Sequence, residues 1–241
     1  MDCEQEMAKH CFGYGRWDAP FWFIGPEQGM SHDPDEMAFR CEAWWNGGKL
    51  EGGQLELDDC INFHRRLEKL RPPKRNKKGK RIDDWHGETP NTQKTWSRLI
   101  QFLIGFGVNG VTSHIEYQKH YWGTHAGQTC VAELSGLAAH DFAEKRDRSS
   151  FLPARLTRLS EALNGKQEFV LLYGKTSACE TAWRHLTRGA VSVGHCSRGE
   201  EVYRKCNTLF VQARLHPAGN GQSYEIWQRF GKEVKKLQNA A

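Results

Sequence analysis

Long apolar runs are missing from this chain, and no stretch approaches the roughly 20 residues that a membrane-spanning helix needs. The first ten residues, MDCEQEMAKH, carry neither the basic start nor the apolar stretch of a secretion signal. A cytoplasmic protein without a membrane partner is the expectation. Paired cysteines are missing too. Eight cysteines stand at positions 3, 11, 41, 60, 130, 179, 196 and 206, with no Cys-x-x-Cys among them. A disulfide framework is not expected in a chain of this size without an export signal, and the paired spacing of zinc or iron–sulfur ligands is lacking. His195-Cys196 with Cys206 is the nearest approach to a ligand cluster, so the sequence predicts no metal and assigns most thiols to the core. Nucleotide fingerprints are absent as well. No Gly-x-Gly-x-x-Gly is present, and Gly174-Lys175-Thr176 lacks the upstream glycine of a phosphate loop, which disfavours a P-loop nucleotide hydrolase. No internal repeat is found.

What is present points to one domain spanning 1–241, long enough to bury a full core. A net charge of +5 leans toward a polyanionic partner. The charge is densest in a loop over 71–91, which carries three prolines and, between Arg71 and Arg81, seven lysines or arginines. Such a segment reads either as a phosphate-contacting loop or as a solvated linker.

Four short apolar runs read as buried strands: Phe21 to Ile24, Thr129 to Leu134, Phe169 to Tyr173 and Thr208 to Val211. Helical stripes lie between them, over Ser31 to Trp45, Leu57 to Leu67, Trp96 to Ile104, Leu156 to Leu163, Thr176 to Leu186 and Tyr224 to Leu237, with Gly105 to Gly110 breaking the third. Strands alternating with helices argue for a doubly wound α/β sheet. Ligands bind such sheets outside the carboxyl ends of the strands. Three polar segments fall there: Gly25-Pro26-Glu27-Gln28-Gly29, Glu133, and Arg214-Leu215-His216-Pro217.

A first strand ending in Gly-Pro-Glu-Gln-Gly, a central Leu-Leu-Tyr-Gly-Lys and a last strand ending in His-Pro resemble the uracil-DNA glycosylase superfamily, over about Phe21 to Tyr224. The resemblance implies an α/β three-layer sandwich with a central four-stranded parallel sheet. It also implies an enzyme, monomeric and without cofactor or catalytic metal, that flips a base out of DNA and hydrolyses its N-glycosidic bond. Glu27 or Gln28 would then handle the attacking water, with Glu27 the better base because only a carboxylate takes the proton. His216 would donate a hydrogen bond to the departing base. Gly25 and Pro26 would line the base pocket, while Lys175, Arg214 and Pro217 would meet DNA. The loop Pro217-Ala218-Gly219-Asn220-Gly221 carries no bulky wedge to fill the opened duplex.

Two departures matter. The four-cysteine cluster of some branches is lacking, and Glu133 stands where the uracil enzymes place an asparagine. An ionised glutamate only accepts hydrogen bonds, so it suits an exocyclic amino group such as cytosine N4 and opposes the O4 of uracil. Some members of the superfamily remove modified cytosines, including glucosylated ones, from phage DNA in antiviral defence, and a cytosine-reading pocket fits that role. The competing readings are a uracil-DNA glycosylase of base-excision repair, a non-catalytic DNA- or nucleotide-binding module of the same fold, and a hydrolase using Cys130 as nucleophile, which no local motif supports. Tyr14, Trp44, Trp45 and Trp122 are the candidate partners for stacking on a flipped base.

Overall fold

The computed structural model describes residues 3–26, 28–29, 35–47, 49–50, 53–54, 56–79, 81–138, 150–163 and 165–240. The helices are α1 (Cys3–His10), α2 (Glu36–Trp45), α3 (Cys60–Leu70), α4 (Lys94–Phe106), α5 (His114–His120), α6 (Leu152–Ala162), α7 (Ser177–Leu186) and α8 (Tyr224–Ala240). The strands are β1 (Gly13–Tyr14), β2 (Phe21–Gly25), β3 (Lys49–Leu50), β4 (Gly53–Gln54), β5 (Leu57–Asp58), β6 (Thr129–Glu133), β7 (Phe169–Tyr173), β8 (Val191–His195), β9 (Glu201–Lys205) and β10 (Thr208–Ala213). Strands β3 and β4 pair only with each other; the rest form one mixed eight-stranded sheet in the order β5-β1-β6-β2-β7-β10-β9-β8.

The four expected strands are neighbours in the middle of that sheet. β2 pairs in parallel with β6 on one side and β7 on the other, and β7 pairs in parallel with β10. Every residue of these four strands is buried, which is why they read as unbroken apolar runs. The sheet nonetheless departs from an all-parallel, four-stranded one. β9 and β8 extend it antiparallel beyond β10, and β1 runs antiparallel to β6 with β5 beside it. β8 is largely exposed and β1 has two residues, so neither carries a buried apolar run.

Alternation along the strands builds two cores. Phe21, Phe23, Val131, Phe169, Leu171 and Leu209 point to a face covered by α1 to α5 and α8. Trp22, Ile24, Cys130, Ala132, Val170, Leu172 and Phe210 point to the opposite face, against α6 and α7. The architecture is an α/β sandwich. Helix α4 runs through Gly105 and ends only at Gly107, whose φ of 84° caps it. Gly105 is there for contact, since a Cβ on it would strike the Gln228 carbonyl of α8, and one on Gly231 the Phe102 carbonyl of α4.

The basic segment 71–91 is not an open loop. Arg71, buried, pairs with Glu36 at 3.6 Å and Asp83 at 2.8 Å; Lys74 reaches Glu36 at 2.8 Å, and Arg81 reaches Glu68 at 2.6 Å and Asp83 at 3.1 Å. Three of the seven cations are thereby turned inward. Lys77, Lys78 and Arg75 stay exposed.

Candidate active site at the carboxyl ends of the parallel strands

Register brings the polar segments to one edge. Gly25 lies opposite Glu133 across β2 and β6, and Tyr173 opposite Ala213 across β7 and β10. Pairing runs on past the strands, with Leu134 N–H donating to the Gly25 carbonyl at 2.8 Å and Ser135 N–H to that of Pro26 at 3.0 Å. Glu133 and Tyr173 converge over Gly25. A Cβ on that glycine would collide with the Tyr173 hydroxyl and stand 2.7 Å from Glu133 Oε2. Only glycine leaves this space to the two polar side chains, which is a packing demand rather than a backbone one.

Beyond β10, His216 sets its ring edge-on to Tyr173, centroids 5.6 Å apart. Its Nδ1 accepts the Ala218 backbone N–H at 3.2 Å, so the proton of the neutral ring sits on Nε2. Burial lowers the pKa of this imidazole below the ordinary 6.5, which keeps it neutral at pH 7. His216 therefore offers one N–H donor and no charge.

Gln28 is buried and its carbonyl oxygen is taken. Tyr14 Oη donates to Gln28 Oε1 at 3.1 Å and Arg40 Nη1 at 2.8 Å, while Arg40 Nη2 holds the Gly29 carbonyl at 3.1 Å. What Gln28 has left for a ligand is its amide N–H₂, a group that positions water but takes no proton from it. Glu27 lies outside the described residues. Pro26 is buried against the next turn, its Cδ 3.5 Å from where a Cβ of Gly174 would stand.

Lys175 and Arg214 follow β7 and β10 and are exposed, as phosphate contacts require. Pro217 is buried, and the exposed residues of that loop are Ala218, Gly219 and Asn220. The proposed stacking partners are mostly core: Tyr14, Trp44 and Trp122 are buried and Trp45 is half-buried.

One residue that the sequence does not flag is Arg155 of α6, 1% exposed. Its guanidinium donates to the carbonyls of Glu133 at 2.7 Å, Cys11 at 2.9 Å, and Leu134 and Ala8 at 3.0 Å, with its face 4.1 Å from the Phe12 ring. It anchors the backbone that carries Glu133. Nothing in Leu152–Ala162 marks it, because an arginine on an amphipathic helix ordinarily faces water. Cys130 is fully buried with its thiol pKa raised by that burial, which makes it a core residue rather than a nucleophile. Among the described residues His195, Cys196 and Cys206 form no ligand group; the one that does form is Cys60, His64 and His86. No protein-family model, curated protein or solved structure matches this chain.

Proposed function

We propose that the chain is a DNA glycosylase that hydrolyses the N-glycosidic bond of a flipped-out base, with a modified cytosine preferred over uracil. One observation carries the reading: parallel register sets Glu133 beside Gly25 and Tyr173, with His216 against the Tyr173 ring. The four adjacent parallel strands β6, β2, β7 and β10 support the likeness to the uracil-DNA glycosylase sandwich.

In this reading the bond from the sugar C1′ to the base nitrogen breaks, its electron pair leaving with the base. The Nε2–H of His216 donates to the base oxygen as that negative charge builds, an interaction stronger in the transition state than in the ground state. Water adds to C1′, positioned by the Gln28 amide, and its proton passes to Glu27. Glu133 accepts from the exocyclic amino group of a cytosine-type base. Lys175 and Arg214 contact the flanking phosphates. Removal of modified cytosines from phage DNA is the role this specificity fits.

The test is incubation of the protein with DNA containing uracil, cytosine, hydroxymethylcytosine or glucosylated hydroxymethylcytosine, scored as alkali-labile strand breaks. Breaks at modified cytosines, lost in His216→Ala, are expected. Brisk breakage at uracil alone would return the protein to repair, and DNA binding without breakage would make it a binding module.

A further inference from the structure

A second cluster is joined to Gln28 through Tyr14, and it does not depend on the glycosylase reading. Helix α3 is capped by Asp59, whose Oδ1 accepts from Asn62 N at 3.0 Å. One turn apart on that helix, Cys60 and His64 share a face. His86 meets them from the 71–91 segment. Cys60 Sγ lies 3.6 Å from His64 Nδ1 and 3.9 Å from His86 Nε2, and the two nitrogens are 3.2 Å apart.

These are the edges of a coordination tetrahedron. With Zn–S of about 2.3 Å and Zn–N of about 2.0–2.1 Å, tetrahedral angles place sulfur and nitrogen roughly 3.6 Å apart and two nitrogens roughly 3.3 Å apart. Hydrogen bonds explain the triangle less well, because three mutually close atoms share too few protons to bond along every edge. We infer that Cys60, His64 and His86 bind a zinc ion, with water completing the tetrahedron, and that this ion fastens the basic segment to α3.

The donor set favours this ion. One thiolate with two imidazoles is borderline-soft, which suits Zn²⁺ and disfavours Mg²⁺ or Ca²⁺. His64 Nδ1 also lies 2.8 Å from the Cys60 carbonyl and donates to it when protonated; zinc would replace that proton and the thiol proton.

The third ligand is held by the hydrogen bonds of its neighbours. The buried Gln118 amide donates to the carbonyls of Trp85 at 3.1 Å and Asn91 at 2.8 Å, and Gly87 N–H donates to Asp84 Oδ1 at 2.8 Å. His86 is thus held between two fixed points. Cys60 is 0% exposed, and the Trp96 ring lies 5.5 Å from that of His64 and 6.0 Å from that of His86. His64 and His86 are only partly buried, which leaves the fourth position open to water. Tyr14, the donor to Gln28, has its ring 5.8 Å from His64, so the ion also steadies the wall of the pocket.

The experiment uses the full chain, purified without a metal-binding tag. Metal content is measured by mass spectrometry, and the metal-free chain is titrated with Co²⁺, whose thiolate charge-transfer band reports sulfur ligation. About one zinc per chain is expected, with a charge-transfer band that saturates at one Co²⁺. Cys60→Ser should abolish the band. His86→Gln should weaken Co²⁺ binding by more than the ~10–100-fold that outer-shell changes cost. Cys206→Ser, at an exposed thiol, should change neither. Circular dichroism confirms that each variant is folded. A wild-type chain that holds no zinc and shows no charge-transfer band overturns the inference, whatever the variants do, and so does a folded Cys60→Ser that keeps the band.

Discussion

Arg155→Met removes every donor at the anchor beneath Glu133 and keeps most of the apolar stem. Four carbonyls within 3.0 Å then lose a charged donor in the interior. Hydrogen bonds to a charged group contribute ~1.5–3 kcal/mol each. Against them stands the desolvation of a guanidinium, visible in a pKa drawn from 12.5 down to about 10 by burial. Leaving buried carbonyls short of a donor costs about 1–3 kcal/mol each, so a net loss of about 3–5 kcal/mol is the expected balance. For a domain of this size that lowers the melting temperature by roughly 6–20 °C. Thermal melts followed by circular dichroism measure it, with Arg155→Lys falling between wild type and Met because an ammonium reaches fewer of the four carbonyls. Base release measured well below the melting temperature should fall too, since the Glu133 backbone is no longer held. An Arg155→Met protein that melts within about 2 °C of wild type would refute the reasoning, because no net loss above roughly 1 kcal/mol fits such a shift.

Gly25→Ala drives a methyl group into the Tyr173 hydroxyl and Glu133 Oε2; base release should drop at least about 100-fold, the scale for a catalytic geometry displaced by an ångström, while the far-ultraviolet spectrum is unchanged. Glu36 is 0% exposed, and although burial pushes its pKa up, Arg40, Lys74 and Arg71 outweigh it and hold the carboxyl below the ordinary 4.5. Its contribution is therefore full above pH 4.5 and lost as pH falls through the lower folded value; urea titrations should show Glu36→Gln about 3–5 kcal/mol less stable at pH 7, with the gap closing in acid. Alkylation of the native protein at pH 8 should label Cys206 first, since it is the exposed thiol, whereas burial pushes Cys11 and Cys196 up to about 12; mass mapping of the labelled peptides checks this.

The central strands were legible because each is buried on both faces and so stands out as an apolar run ended by glycine or a polar residue. Phe21–Gly25 and Phe169–Tyr173 are the clearest cases. The edges were not. Val191–His195 is mostly exposed, and Gly13–Tyr14 is two residues long, so both owe their strand character to a neighbour rather than to their own pattern. The same divide runs through the site. Gly25, Glu133 and His216 announce themselves as polar or flexible residues just past apolar strands. Arg155, Arg40 and Tyr173 do not, because their roles come from long-range contacts: Arg155 meets Ala8 from 147 positions away. The ligand triad was hidden for a related reason. Cys60 and His64 are a helical turn apart, but His86 joins them only through the fold of a segment whose sequence reads as a charged linker.

The identity of the base released from DNA, read by mass, for wild type and Glu133→Gln tests the role of Glu133 most directly. Wild type should release glucosylated or hydroxymethylated cytosine, with uracil a poor substrate. Glu133→Gln, which gains a donor for the uracil O4, should shift the ratio toward uracil. Release of uracil alone by wild type, or the same preference in both proteins, would contradict the assignment of Glu133 as the reader of the base.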